Sequence, residues 1–230
     1  MGTVSATTER EWLTAKTPLR LWYCRRARDD RKRRLVGCAC ARRVLPVLGN
    51  DPRAVAAVDA VERYVDCPAA GRADHWPAVL AARKALRAWE SGLWPVGTSP
   101  RAFDALGALF DVTARESSRV DHLFENAARA RRGEPRTAGL TETPIQAAIV
   151  RDIFGNPFRP VAFSPAWRTD TAIALARTMY ESREFSALPI LADALQDAGC
   201  DSDDVLSHCR DPQPLHVRGC WVVDLVLRKT

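Results

Sequence analysis

Apolar residues in this chain recur every three or four positions, and nowhere do they alternate strictly every second one. That spacing fits the 3.6-residue turn of an α-helix and leaves no half-buried strand to build a sheet from. The clearest case is DPRAVAAVDAVERYVD, in which Val55, Val58, Val61 and Val65 form one stripe. Asp51 is placed to cap its first turn and Pro52 to open it. DHWPAVLAARKALRAWE repeats the scheme with Val79, Leu80, Leu86 and Trp89. Phe103, Leu106, Leu109 and Phe110 line the next segment, followed by Val120, Leu123 and Phe124.

The remaining segments follow the same rule. TTEREWLTA starts with Thr7 or Thr8 as cap and acidic Glu9 and Glu11 behind it. Pro18 opens a short helix, and DDRKRRLVGCACARRVLPVL should end near Pro46, with Gly49-Asn50 as the break. Ile145, Ile149 and Ile153 share a face that Gly155 terminates. A proline-punctuated connector, PFRPVAFSPAW, leads to two more helices that stop at Gly199. Asp201 and Asp204 suggest a capping box for CDSDDVLSHCR. HVRGCWVVDLVLRK has β-branched residues but no partner strand, so it is read as a terminal helix. The expected fold is all-α: an irregular multi-helix array over 1–132 and a compact C-terminal helical module over 142–230. The polar segment RGEPRTAGLTETP separates them, and a core shared by the two is left open.

With 230 residues, 47% of them hydrophobic and 27% charged, the chain can bury a sizeable core and is not of disordered composition. It has no apolar run of signal-peptide or membrane-span length, which points to a bacterial-type cytoplasm and no membrane partner. Seven cysteines, an odd number, argue against a disulfide framework. Arginine supplies nearly all of the positive charge, a bias expected of high-GC coding.

The phrases RLVGCACARRVLPVL, RDIFGNPFRPVAFSPAW, LPILADALQDAGCDSDDVLSHCR and HVRGCWVVDLVL resemble a bacterial family of paralogous helical proteins, numerous in some high-GC genomes. The resemblance covers both ends of the chain. It includes an EWL opening at Glu11–Leu13, a cysteine-rich helix and a C-terminal module over 145–230. It implies a helical fold and no particular chemistry. Ala41 stands where the family commonly has a further cysteine, which weakens a metal reading around Cys38.

Three chemistries compete. Cys200, His208, Cys209, His216 and Cys220 are all capable zinc ligands. His208 and Cys209 diverge by about 100° on a helix, so only one of them can join a site. His216 and Cys220, four apart, would share a helical face. The candidate zinc set is therefore Cys200, Cys209, His216 and Cys220, weighed against cysteines that simply fill core space. Asp201, Asp203 and Asp204 lack the glycine and glutamate of a calcium loop. The Arg25–Arg43 run offers Arg25, Arg26, Arg31, Lys32, Arg33, Arg34, Arg42 and Arg43 for nucleic-acid phosphates, against pairing with nearby Asp and Glu. Trp94, in GLWPVG, is a candidate exposed anchor for a partner. No phosphate loop, dinucleotide fingerprint or nucleophile–base pair is readable. The leading expectation is a non-enzymatic protein-interaction or regulatory module without a cofactor. A small zinc domain and a nucleic-acid binder are the alternatives.

Overall fold

The computed structural model describes residues 5–67, 72–93, 99–114, 120–131, 142–211 and 215–229. Within them the protein is all-α, with no strand. The elements are α1 (Glu9–Thr14), α2 (Pro18–Trp22), α3 (Asp30–Val44), α4 (Pro52–Asp66), α5 (Arg72–Leu93), α6 (Pro100–Val112) and α7 (Val120–Ala130). They continue with α8 (Glu142–Phe154), α9 (Asp170–Ser182), α10 (Leu188–Asp197), α11 (Asp203–Arg210) and α12 (Trp221–Leu227). No described helix is long and apolar enough to cross a membrane. Trp94 and most of the polar segment before α8 lie outside the described residues.

Local signals set most boundaries. Thr8 and Glu11 form a reciprocal capping box, and Asp51 accepts the Arg53 N–H. Pro46 falls in a 3-10 turn, Leu45–Leu48, that closes α3 before Gly49 turns left-handed. The terminal segment is helical, as its lack of a partner strand implied. The capping box expected at Asp201 and Asp204 does not form, because α11 starts at Asp203 and Ser202 holds the cap position.

Two large cores result. In the first, α3 is the axis, packed against α4, α6, α7 and α8. It is buried from Arg34 to Ala41, because helices cover it on nearly every side. Gly37 permits a close approach: a Cβ there would lie 3.1 Å from Val112 Cγ2. Cys38 and Cys40 fill space in this core, and burial raises both thiol pKa values. Ile145, Ile149 and Ile153 of α8 join the same core. The second core gathers α9–α12 around Met179, Leu188, Leu191, Val205, Val222 and Val226.

An ionic junction links the two. Arg31 donates to Asp224 Oδ2 at 2.6 Å and to Asp66 Oδ1 at 3.1 Å. Arg218 donates to Asp66 Oδ2 at 2.6 Å, and the Tyr180 hydroxyl donates to the same carboxylate. Burial works against the Asp66 charge, but Tyr180 and Arg218 win and hold its pKa below the ordinary aspartate value. A second ionic group joins Arg42 and Arg183 to Asp59 and Glu62.

Candidate metal centre

α8 ends where Gly155 turns left-handed at φ +67, and the Trp221 indole lies against that glycine. A Cβ at Gly155 would sit 3.0 Å from Trp221 Cγ, so the bare backbone lets the start of α12 reach the end of α8. Gly219 makes a second approach possible. Its φ is +96, and a Cβ there would meet Leu35 Cδ1 at 2.7 Å. Residues 215–220 are thereby pressed between α3, α8 and α11.

Four side chains converge at this point: Asp152 of α8, His208 of α11, His216 of the connecting segment and Cys220 at the cap of α12. One donor atom from each lies within 4.8 Å of the others. His216 Nδ1 is 2.7 Å from Asp152 Oδ1, and His208 Nε2 is 3.3 Å from the same oxygen. His208 Nε2 is also 3.2 Å from Cys220 Sγ. The other carboxylate oxygen, Oδ2, accepts the Val217 N–H at 2.9 Å, so the backbone orients Asp152 and leaves Oδ1 facing the centre. Cys220 is fully buried, while the other three line the wall of an open groove.

The electrostatics follow from this packing. Burial disfavours the Asp152 charge, yet hydrogen bonds from His208 and His216 hold its pKa below the usual aspartate value. Burial pushes the Cys220 thiol far up, and the neighbouring Asp152 adds to the effect. A thiol nucleophile needs a depressed pKa and access to a reactant, and Cys220 has neither. A Cys–His–Asp relay also needs the two imidazole nitrogens to serve different partners. Here one nitrogen, His208 Nε2, faces both sulfur and carboxylate. That is convergence on a point, the arrangement of ligands around an ion. Tetrahedral zinc bonds of ~2.0–2.3 Å set donor atoms about 3.3–3.8 Å apart. The spacings of 2.7, 3.2 and 3.3 Å therefore need to widen by up to about 0.6 Å, and the widest pairs, up to 4.8 Å apart, need to close by about 1 Å.

Of the expected zinc set, the structure brings together His216 and Cys220 and leaves out Cys200 and Cys209. Those two are buried in the second core, and burial raises the Cys209 thiol to about 12. His216 and Cys220 meet across the Gly219 turn, not along a helix. Two signals pointed elsewhere. Cys209 follows Val205 by four residues, which places it on the apolar stripe of α11 and leaves His208 at its side. Asp152 stands three residues after Ile149, a carboxylate on a buried face, where an unpartnered charge is costly.

The basic run is mostly turned inward. Arg31 serves the ionic junction, and Arg33 donates to the Trp22 and Ala27 carbonyls. Arg34 pairs with Asp30, Arg42 with Asp59 and Glu62, and Arg43 with Glu142. Lys32 lies over the Phe154 ring. Arg25 and Arg26 are exposed, as is Arg28 between them and α3. Comparison with protein-family models, curated proteins and solved structures finds no match to this chain.

Proposed function

We propose that this chain is a zinc-binding helical protein in which Asp152, His208, His216 and Cys220 hold one ion between the two cores. The observation that carries the reading is the convergence of four donor atoms within 4.8 Å, drawn from α8, α11, the 215–217 segment and the α12 cap. Imidazole and thiolate favour zinc over magnesium or calcium, and a single carboxylate oxygen fits the fourth corner. Four protein ligands fill a tetrahedral ion and leave no position for a reactant, so the role is architectural. This takes up the small zinc domain that the sequence left as an alternative, with Asp152 and His208 in place of Cys200 and Cys209.

The test is the metal content and melting temperature of untagged protein, stripped with a chelator and then reloaded with zinc. Reloading should restore one zinc per chain and raise the melting temperature. At ~100-fold excess of free zinc over the dissociation constant, the stabilisation is about 2.7 kcal/mol. Cys220→Ser and Asp152→Asn should abolish both effects, while Cys209→Ser should keep them. A wild-type zinc content no higher than that of Cys220→Ser ends the reading.

A further inference from the structure

The wall that carries Asp152, His208 and His216 belongs to a groove of about 1140 Å³ bounded by α1, the start of α3, the end of α8 and α11–α12. Its walls carry both carboxylates and cations, and they differ in how they are paired. The acids on its walls also include Asp152 and Asp211; Glu9 accepts from Asn156 at 2.6 Å, Asp29 caps α3 through the Lys32 N–H and adds its charge near Lys32, and Asp204 pairs with Arg159. Three cations on the same walls, Arg26, Lys32 and Arg151, form no ion pair with a described carboxylate. Arg26 lies over Phe158 and Lys32 over Phe154. Arg151 uses Nη1 on the Ala15 and Trp12 carbonyls at 2.8 and 3.4 Å, which leaves the rest of its guanidinium fork. Burial lowers the Lys32 ammonium pKa, and Asp224 and Asp29 oppose that shift without cancelling it. All three line one groove, so an anion entering it would meet cations that hold no described carboxylate partner. The intervening surface is apolar, with Leu13, Phe154 and Trp221.

We propose that this groove binds a small molecule with an oxyanion, phosphate or carboxylate, on an apolar body. Arg26, Lys32 and Arg151 take the oxyanion, and the aromatic and aliphatic wall takes the body. The proposal stands apart from the zinc reading, since these cations are not metal ligands.

The experiment titrates the full chain with phenyl phosphate, phenylacetate and phenol by calorimetry, in chelated and in zinc-loaded protein. Either anion should bind in both states, and whichever binds more tightly identifies the headgroup. Lys32→Met should weaken it about tenfold, the size of one lost charge-assisted hydrogen bond, and Lys32→Arg should restore it. Should Lys32→Met not fold, acetylation footprinting of the wild type replaces it. The chain has few lysines, and the ligand should protect Lys32 while leaving the exposed Lys16 and Lys84 reactive. The proposal is overturned if neither anion binds, if phenol binds as well as the anions, or if Lys32 reacts equally with and without ligand. Binding confined to the zinc-loaded protein and indifferent to Lys32→Met also overturns it, by making the ion itself the receptor.

Discussion

Asp66 and Asp152 are both largely buried carboxylates at the border between the two cores, and they are surrounded by different chemistry. Asp66 meets the guanidinium groups of Arg31 and Arg218, the Tyr180 hydroxyl and, at 3.7 Å, the Lys229 ammonium. The two guanidinium groups carry their charge permanently, so the junction is complete by itself. Asp152 meets two imidazoles and a thiol. Both imidazoles approach its Oδ1, and the Cys220 sulfur lies beside His208 Nε2. One junction is closed by guanidinium groups of the chain, and the other is the candidate metal centre. The border between the same two cores thus holds one buried carboxylate among guanidinium groups and another among imidazoles and a thiol.

The sharpest way to break this contrast is to remove a fixed charge. Arg31→Met leaves Asp224, which is fully buried, without its guanidinium partner. The expected loss is ~3–5 kcal/mol in urea unfolding, the range for orphaning one member of a buried pair. A loss under about 1 kcal/mol, the worth of an exposed ion pair, would mean that this junction is not the closed one described.

Gly219→Ala acts on the other junction. The turn at φ +96 disfavours a side chain, and Leu35 must shift to admit the Cβ. Destabilisation of ~1–3 kcal/mol is expected, together with weaker zinc retention, because the turn sets the spacing of His216 and Cys220. Unchanged stability and zinc content would show that the turn does not position those ligands.

Acid titration has the smallest effect and reaches both junctions, because folding lowers the Asp152 pKa as well, so the Asp66 variant is what separates them. The Asp66 pKa is lowered by folding, so the native state binds fewer protons than the unfolded chain near that value. Its contribution should be complete above the ordinary aspartate pKa of about 4 and should fall as pH drops through the folded value. Asp66→Asn should flatten that limb of the stability curve in chelated protein. An unchanged limb would remove Asp66 from the pH response.

Much of the helical pattern was legible before any coordinates. The valine stripe of α4, the Thr8–Glu11 box and the Pro46 and Gly49 stops are local, and each acts within a turn or two of chain. The candidate centre was only half legible. His216 and Cys220 are near neighbours in sequence, but Asp152 reaches them from 64 residues away, and no period connects those positions. The Arg25–Arg43 run shows the same limit. Its charge is plain in the sequence, but whether an arginine faces solvent or Asp66, Glu62 or Glu142 depends on helices brought in from elsewhere.

The sequence by itself therefore determined that this protein is built of helices, where most of them begin and end, and which side chains have the chemistry to bind a metal or an anion. Only the tertiary structure decided that His208, and not its neighbour Cys209, turns toward Asp152, and that most of the basic run is spent inside the molecule. Helix formation is set by bonds and packing a few residues apart. The meeting of donor atoms is set by how two cores dock, and that depends on glycine turns and buried charges scattered along the whole chain.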